Sequence, residues 1–445
     1  MKEAPDTFLR LPETDEDGAL EHVLLAEEQA EASMPVAATD PAEIRDVVVA
    51  GGGITGASIA HALDRAGIRT VIVETDKDAA ERTRANIARL GDDTAGRDPL
   101  PADGAAARQA RIRVATDFGD LPAAGLAIEA ENEDMAAKRQ VFSELEKALP
   151  GHAVLASSTG WLDVDEIAQS VSDPSRVIGL HFSSPAHITR LLEIVRGPKS
   201  GDRAISTGFA VAKRLRKIPV LAGVCGGSIG NRILARCHEA ADTVLMDGST
   251  PWEVDEAMVE FGYAMGPYEA QDLSGLDIAY ANRKRQAPNR DPNRRYIPIS
   301  DRMVEEGRLG RKASVGWYRY PGGGGKVVDP LIEDLVREEA YFAKVARREF
   351  SPDEIRTRLV CAMINEAADI LNEGMAARAA DIDLVTIHGH GFPRQRGGLM
   401  YYADRIGCGA LIRQIEDFAS EDPVAWKPSP LLARLAETSG RFCKV

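Results

Sequence analysis

Three glycines stand in the spacing G-x-G-x-x-G: Gly51, Gly53 and Gly56, with Ile54 and Thr55 between the last two. An apolar pentapeptide, Asp46–Ala50, precedes them and an alanine-rich run follows. A glycine turn between strand and helix lets the backbone approach a pyrophosphate, and the helix start offers free N–H groups and the positive end of its dipole. A second apolar run, 70–74, ends in Glu74, 23 residues after Gly51. A carboxylate there accepts the hydroxyls of an adenosine ribose and repels a 2′-phosphate, which favours NAD over NADP. The glycines alone also admit FAD. Two other motifs carry less. Pro321–Lys326 (PGGGGK) lacks the first glycine and the final Ser/Thr of a phosphate-binding loop, and reads as a linker. His388-Gly389-His390 has no evident third ligand, so no metal is expected.

The elements that must position these residues follow from apolar runs. Strands are expected at 46–50, 70–74, 111–115, 126–130, 153–157, 177–182, 191–195 and 219–224, with helices at 57–67 and near 134–148. Alternating strands and helices predict an α/β unit with a mostly parallel sheet over 46–222. Helices dominate afterwards. Thr250-Pro251-Trp252-Glu253 and Ser351-Pro352-Asp353-Glu354 read as capping boxes. Residues 231–248 resemble 357–374, with EAAD at 239–242 and again at 366–369, and 254–267 resemble 380–393. Two copies of one helical module are expected, packed as an internal pseudo-dimer. The glycine run 321–326 suggests boundaries of 223–325 and 326–445. Residues 1–45 form an N-terminal segment, with a helix at 19–33 presenting Leu20, Val23, Leu24 and Leu25, then a linker at 34–45.

The chain has 445 residues, 44% hydrophobic and 28% charged, and a net charge of −15. That sign argues against nucleic acid or an anionic membrane surface, which call for clustered positive charge. The charge is uneven: residues 1–46 hold 13 acidic and 3 basic side chains, a net −10, leaving −5 on the remainder. The body can therefore still hold local basic patches for polyanions such as NAD. No apolar run is long enough to span a membrane, and no secretory signal is evident. Five cysteines without CxxC spacing suit a reducing compartment.

Residues 181–197 (HFSSPAHITRLLEIVRG), 223–234 (GVCGGSIGNRIL) and 261–277 (FGYAMGPYEAQDLSGLD) resemble the L-3-hydroxyacyl-CoA dehydrogenase family. The dehydrogenase half of the multifunctional fatty-acid β-oxidation enzymes is similar from Val47 onward, through 310–320 and 390–404. The resemblance implies a Rossmann-type NAD-binding domain followed by two tandem all-α modules like those of 6-phosphogluconate dehydrogenase. It implies NAD-dependent oxidation of (3S)-3-hydroxyacyl-CoA, with His181 as catalytic base and Glu193 as its carboxylate partner. Removing the hydroxyl proton as hydride leaves needs a base that titrates near neutrality, and a carboxylate to orient it. The twelve-residue separation places both on adjacent strands. Asn231 matches the asparagine that holds the substrate; read alone, it could be a helix N-cap. Glu133 and Lys138 match positions beside the nicotinamide end of the cofactor.

Departures from the family pattern matter equally. ASSTG (156–160) stands where the family reads ASNTS, so Ser158 replaces an asparagine and Gly160 replaces a serine that bonds the substrate oxygen. Losing one such donor costs roughly 10²–10³ in turnover. Ser184 stands where monofunctional members have asparagine. Glu131 and Asn132 replace two apolar residues beside the cofactor cleft. These changes support a rival reading, a degenerate dehydrogenase that binds acyl-CoA or NAD or docks a partner. Residues 8–30 resemble the helical linker that follows an enoyl-CoA hydratase domain in the multifunctional enzymes, so a separate hydratase or thiolase is the expected partner. A monomer or homodimer is expected. The final FCKV is no SKL-type signal, which suggests the cytoplasm.

Overall fold

A computed structural model of the protein describes residues 15–33, 40–94, 111–224 and 226–445, with Phe8 and Pro12. The expected linker lies partly outside these residues, as does Cys225. Helix α1 (Glu16–Ala32) is followed by β1 (Asp46–Ala50), α2 (Ile54–Arg65), β2 (Arg69–Val73), α3 (Lys77–Thr94), β3 (Ile112–Ala115) and β4 (Leu126–Glu129). Then come α4 (Met135–Ala148), β5 (Val154–Ser157), α5 (Val164–Ala168), β6 (Val177–Phe182), β7 (Leu191–Arg196), α6 (Asp202–Arg214) and β8 (Ile218–Gly223). These eight strands form one sheet in the order β3-β2-β1-β4-β5-β6-β7-β8. The order reverses on either side of β1, so the crevice at the carboxyl ends of β1 and β4 is where ligands collect in open α/β sheets. Pairing is parallel from β3 to β6; β7 then runs antiparallel to β6, and β8 parallel to β7. In β1, Val47 and Val49 join one core and Val48 and Ala50 the other, as period-two alternation requires of a strand covered on both faces.

The helical half contains α7 (Ile229–Asp247), α8 (Pro251–Phe261), α9 (Pro267–Ser274), α10 (Leu276–Gln286), α11 (Ile299–Glu305) and α12 (Pro330–Phe342). It continues with α13 (Pro352–Asn372), α14 (Ala379–His390), α15 (Leu399–Ile406), α16 (Cys408–Ala419) and α17 (Pro430–Thr438). The repeat seen in sequence recurs as a structural device. Asp255 in α8 accepts from the Tyr268 and Glu269 N–H groups at 2.8 and 3.0 Å, at the start of α9. Asp383 in α14 accepts from the Met400 and Tyr401 N–H groups at 2.6 and 3.2 Å, at the start of α15. A glycine stands against each aspartate: an added side-chain carbon would lie 2.3 Å from Asp255 at Gly266 and 2.4 Å from Asp383 at Gly398. Each carboxylate thus supplies acceptors for N–H groups that a helix start leaves unpaired. Helices α7 and α13 pack along each other between the copies.

Three expectations need correction. The glycine run 321–326 is not the joint between helical units. It forms the tip of a hairpin between β9 (Tyr318–Arg319) and β10 (Val327–Val328), and α12 beyond it still packs on α7 and α11. The Thr250 capping box forms in both directions. At Ser351 only half forms: the hydroxyl accepts from the Glu354 N–H, while the Glu354 carboxylate is buried against Arg348 and Arg358. Helix α1 buries Ala19, Val23, Ala26 and Ala30, and turns Leu20, Leu24 and Leu25 to solvent. Small side chains allow close approach to α14 and β8, which the leucines would prevent.

Candidate active site

The glycine turn has the form a dinucleotide needs. Gly51 takes φ +98°, and a side-chain carbon there would meet Ala130 O at 2.9 Å. One at Gly56 would lie 1.9 Å from Gly51 O, so helix and strand close up only with glycine. Nothing lies within 4 Å of the corresponding position at Gly53. Ile54 and Thr55 are exposed, and no side chain caps the start of α2. Open space beside uncapped N–H groups fits a pyrophosphate. Glu74 stands at the same turn, its Oε2 accepting from the Gly52 N–H at 3.1 Å. A bound NAD would place its ribose hydroxyls at this carboxylate.

The second cluster forms where β6 and β7 pair. His181 and Glu193 are register partners on these antiparallel strands, which puts their side chains on one face. His181 Nδ1 meets Glu193 Oε2 at 2.7 Å, and Gly230 N–H donates to the other carboxylate oxygen at 3.4 Å. Glu193 is fully buried. Burial alone would raise its pKa, but the hydrogen bond and charge of His181 and the Gly230 N–H outweigh it and hold the carboxyl below its ordinary range. With Nδ1 engaged, His181 Nε2 faces Gly160: a side-chain carbon at 160 would lie 2.9 Å from it and 2.6 Å from Asn231 Nδ2. Asn231 Nδ2 donates to Gly160 O at 3.1 Å. Asn231 is not the helix cap; Ser228 caps α7, accepting from the Asn231 N–H at 3.2 Å. His181, Glu193, Asn231 and Gly160 therefore meet at one point.

Other expected site residues surround that point or lie beneath it. Glu133 accepts from Thr159 Oγ1 at 2.8 Å and from the Gly160 N–H at 2.9 Å, which fixes the loop after β5. Lys138 does not reach the cleft as a direct cofactor ligand. It is 1% exposed, and its Nζ donates to Glu129 Oε1 at 2.7 Å and Glu131 O at 2.9 Å. Ser158 is half-buried, its N–H bound to Glu129 O at 2.8 Å. Ser184 is exposed, at a cis bond to Pro185.

His390 is a residue of this site that sequence reasoning missed. It closes α14, and its Nε2 would lie 2.2 Å from a side-chain carbon on Gly230. Burial lowers its pKa to about 4, with Glu193 raising it and His181 lowering it. It is therefore a neutral ring packed behind the His181–Glu193 pair. His388 turns the other way and meets Glu27 of α1 at 2.7 Å. His388 and His390 thus lie against separate carboxylates, Glu27 and Glu193. Among the described residues no group of three or more His, Cys, Asp or Glu is placed to hold a metal. Cys237, Cys361, Cys408 and Cys443 are free.

A doubly wound sheet with this glycine turn, joined to helices that close over a His–Glu pair, defines an NAD-dependent dehydrogenase of the Rossmann class. The chain belongs to the 3-hydroxyacyl-CoA dehydrogenase family. The family model for its NAD-binding domain matches residues 46–225, and that for its C-terminal domain matches 227–320 and 355–442. The human peroxisomal bifunctional enzyme is 35% identical over 458 residues, covering 98% of this chain and 63% of the human protein. The zebrafish peroxisomal bifunctional enzyme is 37% identical, covering 89% of this chain and 56% of the relative. The chain thus spans less than two thirds of these relatives. The dehydrogenase part of multifunctional enzyme 1 from Caenorhabditis elegans matches in structure with a TM-score of 0.65 at 25% identity, covering 95% of this chain and all of that one. The 3-hydroxybutyryl-CoA dehydrogenase of Escherichia coli shares the fold, with a TM-score of 0.76 at 23% identity, over 89% of this chain and 99% of that one. The relatives' names place them in peroxisomes, which does not support the cytoplasmic expectation. No helix among the described residues is long and apolar enough to cross a membrane.

Proposed function

We propose that this chain oxidises the C3 hydroxyl of a (3S)-3-hydroxyacyl-CoA to the 3-oxo thioester. One observation carries the reading: His181 is bound through Nδ1 to buried Glu193, while Nε2 faces the gap bordered by Gly160 and Asn231. NAD supplies the hydride acceptor. His181 Nε2 takes the hydroxyl proton, and Glu193 stabilises the imidazolium that results. Asn231 leaves Gly160 O and turns its amide to the substrate oxygen. The acyl-CoA lies between the sheet and α7, in a cleft of the kind where ligands bind. Steady-state oxidation of NADH with acetoacetyl-CoA tests this. A rate no higher than that of a His181→Ala control overturns it.

The loop after β5 supports a weakened rather than a silent site. Gly160 offers the substrate no hydroxyl, and Asn231 spends its amide on Gly160 O. If calorimetry finds tight binding of NADH and acetoacetyl-CoA without turnover, the degenerate reading replaces this one. A separate hydratase or thiolase partner would use the outer face of α1, because the inner face is occupied by the chain itself. Co-purification with Leu20, Leu24 and Leu25 changed to serine tests that face without removing the helix.

A further inference from the structure

Glu131 stands at the cofactor turn, and among the described residues no cation forms an ion pair with its carboxylate. It follows β4, where the chain runs so close to Gly51 that a side-chain carbon there would lie 3.0 Å from Glu131 N. The residue is half-buried. Among the described residues, the charges acting on its carboxylate are Glu74 just after β2, Glu129 in β4 and Lys138 in α4, and the Asn132 N–H hydrogen-bonds it. Lys138 is already committed, to Glu129 Oε1 and to the carbonyl of Glu131 rather than its carboxylate. Helix α3 contributes to the turn the uncharged Thr83, whose hydroxyl donates to Gly52 O at 3.0 Å. The first turn of α2, Ile54-Thr55-Gly56, carries no charge. Glu74 is drawn onto the same turn through Gly52 N–H. The Glu74 carboxylate and the backbone of Glu131 therefore both border the glycine turn, and the nearby ammonium is spent on Glu129.

We propose that Glu131 makes cofactor binding proton-linked: NADH binds with uptake of a proton at the Glu131 carboxyl, and the ionised carboxylate is what limits affinity. Burial, then the charges of Glu74 and Glu129, already raise its pKa in the free protein. A pyrophosphate adds negative charge beside it and raises it further. Binding and protonation then favour each other, because linkage is reciprocal. The sign follows. With the bound-state pKa above the free-state one, affinity is highest below the free-state value. It falls as pH rises through both values, by at most about tenfold per pH unit for one proton. Above the bound-state value it levels off.

Calorimetric titration of the full chain with NADH tests this, run from pH 5.5 to 8.5 at constant ionic strength in buffers of different ionisation heat. The expected result is a Kd that rises several-fold with pH, and a buffer-dependent heat that reports proton uptake. Glu131→Gln and Glu131→Val should bind NADH more tightly at the alkaline end and lose both the slope and the buffer dependence. Glu74→Gln should weaken binding at every pH while keeping the proton uptake. The proposal is overturned if both Glu131 variants retain the wild-type slope and uptake, or if Glu74→Gln abolishes the uptake. Failure of NADH to bind at any pH would overturn the cofactor assignment itself, a result distinct from pH-independent binding.

Discussion

In the proposed reaction, proton removal rests on one nitrogen, His181 Nε2, and on the carboxylate that holds the other, Nδ1, at 2.7 Å. Glu193→Gln keeps the shape but removes the charge that stabilises the imidazolium. Turnover should fall by about 10²–10⁴ with a smaller change in KM, measurable by steady-state kinetics. Because the folded Glu193 carboxyl titrates below its ordinary value of 4.5, its stabilising contribution is complete above that value. It is lost as pH falls through the folded value, so an acid limb above pH 5 in the wild-type profile belongs to another group. Gly160 gives a second prediction. A side-chain carbon there crowds Asn231 Nδ2 and His181 Nε2, and of the two only Asn231 can swing aside without breaking the bond to Glu193. Gly160→Ala should therefore lower turnover, and Gly160→Ser should exceed the alanine variant by about tenfold or more through its hydroxyl. Equal rates for the two would show that a hydroxyl at position 160 adds nothing to turnover. His181, Glu193, Asn231 and Gly160 were all legible from ordered motifs. His390 was not, because only the docking of α14 brings it to Gly230.

At the scale of elements, α1 holds the two halves of the molecule together. Glu27 meets His388 and Arg394 of the second helical unit and lies 3.5 Å from Arg190 of the α/β unit. Glu27→Ala strands His388 and Arg394 and should cost about 1–3 kcal/mol, read as a lower midpoint in urea unfolding. Unchanged stability would show that α1 is held by its alanine face alone. The apolar runs located all eight strands to within a residue or two, because strands buried on both faces leave a continuous signal. They did not show that β7 and β8 reverse direction, since a strand's apolar pattern is the same in either direction. The buried face of α1 departs from its apolar pattern for a related reason. Hydrophobicity ranks leucine above alanine, but the fit against α14 and β8 selected for size.

For the whole molecule, the deciding contact is between the two copies of the helical unit. Helix α13 has 15 of its 21 residues buried, which marks it as a core helix rather than a surface one. Much of what buries it is α7, the helix that also carries Asn231. Each copy thus covers the apolar face of the other, and the full chain should sediment as a monomer. A chain ending at Ala343, just beyond α12, keeps the sheet and the first helical unit but uncovers the α7 face that includes Cys237, Ala240, Ala241 and Val244. An apolar face of that length is not left in water without consequence. The shortened chain should self-associate in sedimentation velocity, with a second copy of α7 taking the place of α13, or precipitate. It also loses His390 from behind Glu193 and the bond from Gly223 N–H to Met375 O that ties β8 to the second unit. Its turnover should therefore fall further than its NADH affinity, because the cofactor turn at Gly51–Gly56 lies wholly within the retained part. A shortened chain that stays monomeric and fully active would show that the second copy is dispensable to both the fold and the site.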